Sequence, residues 1–349
     1  LSNYGFLLWG NMNSNYAQAA MGYSSGFDLS YGLSVNRGWA NPHLVTYMES
    51  HDEERVNFKN IMYGNSYNGY NIKDTNLAPK RMELAHVLML TQPGPKMIWQ
   101  FGELGYDSSI NACQSGPNST TCRTDPKPLR WGYYNDPERK NLYTVIGYLN
   151  RLRSNPTYNV LFSSNNINYN LGGLIKYQII TVNNVSLVVM GNFDVATQSV
   201  SITFPFSGTW YNYLNPGNNF TATGAAQSIT LAPGEYRVYT NQFVSLCNLS
   251  FALNNAVDTI KTCSNPYTLS APTGYTSAPA LNSTTSSNCR SCHSSYALNV
   301  AGDSLSVTGL PTSYVAGKAY AFSIKFNHAT ADRKIWGFAI KAIDLACDV

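Results

Sequence analysis

Apolar positions mix helical and strand patterns over residues 1–160 and turn to short strand patterns beyond them. From Pro79 to Thr91, Met82, Leu84, Ala85, Val87, Leu88 and Leu90 give the composition of a buried helix, with Pro79 suited to its first turn. Gln92-Pro93-Gly94-Pro95 ends it, since proline lacks the N–H and clashes with the preceding turn. Lys96-Met97-Ile98-Trp99-Gln100-Phe101 then reads as a short strand ending at Gly102-Glu103. Asp136-Pro137-Glu138 predicts a second helix, Asp136 as N-cap and Pro137 in the first position. It continues through Leu142, Val145, Ile146, Leu149 and Leu152 at helical spacing to Asn155-Pro156. Alternating strands and helices predict an α/β layer, part of a barrel, over residues 1–160.

Over residues 161–243, Leu174–Ile179, Ser186–Met190, Gln198–Thr203 and Tyr236–Tyr239 are short strands. Turns at Asn183-Asn184, Pro216-Gly217 and Pro233-Gly234 separate them. This predicts an all-β module. Residues 244–288 read as a linker, rich in Ser, Thr, Pro, Ala and Asn from 265 onward. In 289–349, Ser304–Val307, Ala319–Phe326 and Ile335–Lys341 suggest a small β-sandwich module, cut short within itself. The fold class expected is therefore α/β followed by all-β.

One local pattern stands out. Val45-Thr46-Tyr47-Met48 is apolar and β-prone, and Glu49-Ser50-His51-Asp52-Glu53-Glu54-Arg55 follows it directly. Only 12% of the chain is charged, so five ionisable residues in a row, His51 to Arg55, form a strong anomaly. Barrel enzymes present catalytic groups at the C-terminal ends of their strands in this way. The alternative is a solvated helix start, with Asp52 as N-cap and Glu53 and Glu54 in the first turn.

Composition narrows the partners. The 349 residues are 44% hydrophobic with 25 Tyr against 14 Phe, and carry a net charge of only +4. A neutral, aromatic, hydrogen-bonding surface suits sugars; with no Lys/Arg run there is no footprint for nucleic acid. Seven Cys and few charges fit an extracellular or cell-surface protein. No apolar stretch is long enough for a membrane span. The chain opens at Leu1 without a basic n-region, as a processed product or a fragment would.

With Met48–Arg55 at a strand end, the chain resembles the α-amylase family of glycoside hydrolases, in which the seventh barrel strand ends in a His-Asp pair. Ile98-Trp99-Gln100-Phe101-Gly102-Glu103-Leu104-Gly105-Tyr106 is similar to the eighth strand and its loop, and Arg123–Trp131 resembles the segment after it. Gly26-Phe27-Asp28-Leu29 matches the sixth-strand region. The resemblance covers residues 1–243, is closest to bacterial secreted members, and implies the C-terminal portion of a (β/α)8 barrel followed by an antiparallel β-domain. It implies α-glucan cleavage by a retaining mechanism, with Asp52 stabilising the transition state and His51 binding the same sugar ring. Asp125, Arg130 and Trp131 would border the cleft, Tyr106 could stack on a sugar, and Glu103 would be structural. Glu53, Glu54 and Arg55 would cap and pair locally. The family's nucleophile and acid/base lie on earlier strands, so this chain is expected to begin after both. Calcium, bound by most members mainly through earlier segments, is expected only in the full-length enzyme.

Cys289-Arg290-Ser291-Cys292-His293 is a C-x-x-C-H, the pattern of covalent haem c attachment, in which the histidine binds iron. His328 is a candidate for the other iron ligand. The alternative is a disulfide involving Cys289 and Cys292, with His293 exposed. The module around Gly302–Ile340 resembles a bacterial surface-anchoring β-domain, which implies cell-surface attachment. Cys113 with Cys122 and Cys247 with Cys263 fit structural disulfides, leaving Cys347 over. A secreted α-amylase-like enzyme is the leading function. A non-catalytic glucan-binding or surface-display protein and a haem c electron-transfer protein are the other classes.

Overall fold

Leu8–Asn11 (β1) and Leu44–Tyr47 (β2) run parallel, Leu8 opposite Leu44 and Asn11 opposite Tyr47. The computed structural model describes residues 1–246, Ser304–Thr308 and Ser323–Asn327. Contacts divide the chain into two units, Leu1–Ser250 and Phe251–Val349. A third parallel segment flanks β2 on its other side: Thr46 N–H donates to Pro95 O at 3.2 Å and Met97 N–H to Thr46 O at 3.2 Å. Parallel neighbours require crossovers. Asn13–Ala20 (α1) lies between β1 and β2, and Val56–Tyr63 (α2) and Ala78–Leu90 (α3) lie between β2 and the third segment.

Two sequence expectations change here. The strand expected at Lys96–Phe101 shrinks to a single bridge at Lys96. Pro93 and Pro95 remove donors before it, and Phe101 turns to a left-handed φ of 57°, opening a 3-10 turn at Gly102–Leu104. The strand preceding β2 is Leu8–Asn11, whereas Gly26–Leu29 is irregular and Asp28 caps a turn by accepting Ser30 N–H at 2.8 Å.

The two helices begin where their caps predict. Pro79 lies in the first turn of α3. Asp136 accepts the N–H groups of Glu138 (2.9 Å) and Arg139 (3.1 Å) at the start of Pro137–Ser154 (α4). A short hairpin, Ser66–Tyr67 (β3) and Tyr70–Asn71 (β4), precedes α3.

Eight strands follow: Ile167–Asn170 (β5), Ile175–Val182 (β6), Val185–Asn192 (β7), Gln198–Thr203 (β8), Gly208–Asn212 (β9), Phe220–Ala222 (β10), Ala226–Leu231 (β11) and Tyr236–Thr240 (β12). Six form an antiparallel sheet in the order β10-β9-β12-β7-β6-β5; β8 and β11 form a separate pair. Strand β7 is buried along its whole length. By alternation, Leu187 and Val189 join the core with α3, while Val188 and Met190 pack with Ile202, Phe204, Trp210 and Leu231. A Cβ on Gly191 would meet Leu84 Cδ1 at 2.2 Å, so a glycine lets β7 approach α3. Arg81, wholly buried, donates from Nε to Ala20 O (2.8 Å) and from Nη2 to Ala19 O (2.9 Å) and Phe193 O (2.6 Å). It thereby joins α1, α3 and the end of β7.

In the second unit, Ser304–Thr308 (β13) pairs antiparallel with Ser323–Asn327 (β14). Cys289, Cys292, His293, His328, the Cys247 and Cys263 pair, the linker over 265–288 and the strand at Ile335–Lys341 all lie outside the described residues.

Candidate functional site

The chain leaves β2 through Met48, and the Glu49 side chain turns inward. Its Oε1 accepts the Val56 N–H at 2.8 Å, and its Oε2 lies 3.5 Å from Arg55 Nη1, both side chains being buried. Burial pushes the Glu49 carboxyl upward, opposed by Arg55 and the Val56 N–H and assisted by Glu103. Helix α2 thus starts at Val56 with Arg55 at the N-cap. Asp52 is not the N-cap, and the solvated-helix-start reading falls. The segment from Ser50 to Glu54 is instead a loop closed at its base.

That loop turns His51 and Asp52 outward, with 55% and 71% of their side chains exposed and His51 Nε2 3.4 Å from Asp52 Oδ2. Its remaining charges are engaged by the scaffold. Glu53 accepts hydrogen bonds from Asn11 Nδ2, at the end of β1, and from Ser50 Oγ. Glu54 accepts from Ile110 N–H (2.7 Å) and Ser109 Oγ (2.8 Å). The Trp99 ring, just past the third parallel segment, lies 5.7 Å from the His51 ring. The ends of all three parallel segments therefore meet at the loop carrying His51 and Asp52. The Tyr47 hydroxyl is raised by burial and then by the charges of Glu53 and Asp52.

A second loop supports the first. Cys113 and Cys122 form the expected disulfide, Cα atoms 5.1 Å apart. Next to it, Arg123 Nη2 donates to the Asp52 backbone carbonyl. Lys127 Nζ donates to Cys122 O at 2.6 Å, which fixes the end of the same loop.

The other expected site residues divide. Asp125 and Arg130 are exposed on this loop, and among the described residues neither hydrogen-bonds to His51 or Asp52. Trp131 is 70% exposed and meets Phe101 edge-on at 4.9 Å. Tyr106 is only 1% exposed: its hydroxyl donates to Pro128 O at 2.7 Å, and its ring packs on Phe101 and lies 4.8 Å from the Arg55 guanidinium carbon. It is a core ring beneath the loop and is not presented for stacking on a sugar. Burial raises the half-buried Glu103 carboxyl, which acts on Glu49 by charge. Sequence reasoning missed Glu49, Trp99 and Arg123. Only the apolar strand before Glu49 hinted at its burial, and nothing local marked the other two.

An outward imidazole–carboxylate pair beside an indole can bind a neutral polyol. The carboxylate accepts hydroxyl protons and opposes a developing positive charge, while the indole covers an apolar ring face. Among the described residues no three His, Cys, Asp or Glu side chains are grouped to hold a metal ion.

The chain matches no protein-family profile, and no curated protein matches its sequence. Among solved structures it is similar to a variant of AmyP in complex with maltotriose (TM-score 0.50, 14% identity, 67% of this chain and 50% of that one). It is also similar to AmyP in complex with maltose (TM-score 0.49, 14% identity, 69% and 51%). A further match is the α-amylase from Geobacillus thermoleovorans complexed with acarbose (TM-score 0.45, 13% identity, 68% and 54%). The chain spans about half the length of these structures. At such identities the likeness concerns the fold, and the first match carries it: the chain has an α-amylase-like fold, part of a barrel joined to a β-domain.

Proposed function

We propose that this chain belongs to a secreted α-amylase-like glycoside hydrolase acting on α-glucans by a retaining mechanism. Asp52 is its transition-state stabiliser and His51 a ligand of the same sugar ring. The observation that carries this reading is the clamped loop at the end of β2, which aims both side chains outward beside Trp99. Asp125 and Arg130 border the cleft at its rim. The low charge, the Cys113–Cys122 disulfide and the aromatic surface support an extracellular or cell-surface location.

Retaining hydrolysis needs a nucleophilic carboxylate and a proton donor about 5 Å apart across the glycosidic bond. In this reading Asp52 does neither. It holds sugar hydroxyls in the ground state and opposes the positive charge that gathers on the ring in the transition state. In this reading the three neighbouring parallel segments belong to a (β/α)8 barrel. The nucleophile and acid/base belong to other strand ends of the whole enzyme.

Reducing-sugar release from soluble starch tests this. The full-length gene product should be active, and its Asp52→Asn variant should lose about 100-fold or more in kcat, with a smaller rise in KM from the lost ground-state hydrogen bonds. The 349-residue chain alone should release no sugar. A full-length Asp52→Asn variant with unaltered kcat would remove Asp52 from the site. Turnover by the isolated chain would place both bond-breaking carboxylates within it.

A further inference from the structure

A second feature of the same unit lies in the β-domain. Between the β5 edge of the large sheet and the end of β8 opens a cleft of about 390 Å³, within the ordinary range of small-molecule sites. Its walls include Asn168 on β5, Thr181 on β6, Thr203 at the end of β8, and the loop residues Pro205 and Gly224; Phe204 lies between the two walls.

The chemistry of this lining is selective. None of its residues is ionisable, so it offers no countercharge to a phosphate, a carboxylate or an amine. Asn168 is exposed, and its carboxamide makes no hydrogen bond among the described residues; the same holds for the exposed Thr203 hydroxyl. By contrast, Asn166 Nδ2 donates to Thr181 O at 2.8 Å and the Thr181 hydroxyl meets Ser186 Oγ at 2.9 Å. The large-sheet wall is therefore braced from within, while the exposed Asn168 and Thr203 side chains stay free. Phe204 is locked in place by Phe220 (4.8 Å, stacked) and Trp210 (5.0 Å, edge-on), which fixes the adjoining Pro205 ring. Strand alternation puts Ser199, Ser201 and Thr203 on one exposed face, with Ser228 opposite Ser201 and Thr230 opposite Ser199. The cleft thus continues into a neutral strip of hydroxyls.

We propose that this cleft is a second, non-catalytic saccharide site that binds an α-glucan chain through Asn168, Thr203 and the Pro205 ring. The choice of α-glucan rests on the function proposed above, whereas the neutral saccharide class follows from the lining itself. Free amide and hydroxyl groups exchange hydrogen bonds with sugar hydroxyls, and an immobile apolar ring receives the C–H face of a pyranose at little entropic cost. Two sites on one unit bind a polymer with an effective concentration that neither has alone. The cleft would hold polysaccharide while His51 and Asp52 engage it elsewhere.

Affinity electrophoresis of the full 349-residue chain in gels containing amylopectin tests this. In a His51→Ala/Asp52→Ala background, retardation should persist, and adding Asn168→Arg and Thr203→Arg should reduce it at least fivefold. Both added positions are exposed, and circular dichroism with the melting temperature reports whether the fold is kept. Retardation that vanishes with His51 and Asp52 alone, or that survives the arginine pair, overturns the second site. The retardation removed by His51→Ala/Asp52→Ala is a separate readout of the first site, so the two readings fail independently. Hydrogen–deuterium exchange on the unaltered chain gives a check free of folding effects. Maltoheptaose should protect peptides covering 166–181 and 203–224, and no protection there overturns the proposal.

Discussion

Glu49 accepts the Val56 N–H at 2.8 Å, so the chain that leaves β2 and the chain that begins α2 are tied at one point. Everything between them, including His51 and Asp52, is a closed loop on a fixed base. Replacing Glu49 by Ala leaves Arg55 buried without its carboxylate and Val56 without its acceptor, and should cost about 3–5 kcal/mol. Glu49→Gln keeps an acceptor for Val56 and should cost less. Urea unfolding of the two variants measures the difference, and equal losses would show that the ion pair alone matters.

The Cys113–Cys122 disulfide should act on the same loop from its other side. Arg123 follows Cys122 directly and donates to the Asp52 carbonyl. A Cys113→Ser/Cys122→Ser variant should lose about 2–4 kcal/mol, and amide exchange should rise at residues 51–54 as well as within 113–122. Exchange rising only inside the disulfide loop would uncouple the two loops.

Gly191 should tolerate no side chain. With Leu84 Cδ1 at 2.2 Å from its would-be Cβ, Gly191→Ala forces α3 away from β7 and should cost about 1–3 kcal/mol. The paired variant Gly191→Ala/Leu84→Ala relieves the overlap. Thermal unfolding should then show less than the sum of the single losses.

Acid sensitivity should centre on His86. Its ring is buried in α3 and Nδ1–H donates to Met82 O at 2.8 Å; burial holds its pKa down to about 4. The unfolded chain takes up that proton near pH 6.5, so the folded state is fully favoured above pH 6.5 and loses about 3 kcal/mol as pH falls to 4. Burial raises Glu49 and Glu83, which has the opposite sign: their cost to the folded state is relieved as they protonate at low pH. Denaturation followed between pH 4 and 7 should show the loss, and His86→Gln should flatten it. An unchanged slope would assign the acid sensitivity to other groups.

Helices α3 and α4 were legible because proline, aspartate and the Pro93-Gly94-Pro95 stop act within a few residues of where they sit. Strand β7 was legible as an unbroken apolar run, which is what burial on both faces produces. Strands β5, β10 and β11 were not, since each buries one face at most and fills the other largely with Asn, Ser and Thr, and β9 was hidden by its short, mixed run Gly208-Thr209-Trp210-Tyr211-Asn212. Lys96–Phe101 was over-read: its apolar composition fits a strand, but flanking prolines and the left-handed Phe101 leave only one bridge. At the site, His51 and Asp52 stood out because charge is scarce in this chain. Arg123 could not, for it lies 71 residues from Asp52 in sequence and reaches it only through the tertiary fold.

The most direct test of the central claim compares two ligands on the full-length protein and its Asp52→Asn variant by calorimetry. One is a neutral maltooligosaccharide, and the other a pseudo-oligosaccharide of the same length with a protonated amine at the scissile position. If Asp52 opposes positive charge in the transition state, Asp52→Asn should weaken the cationic ligand about tenfold more than the neutral one, about 1.4 kcal/mol of charge selectivity. Equal weakening of both ligands, or none, would contradict it.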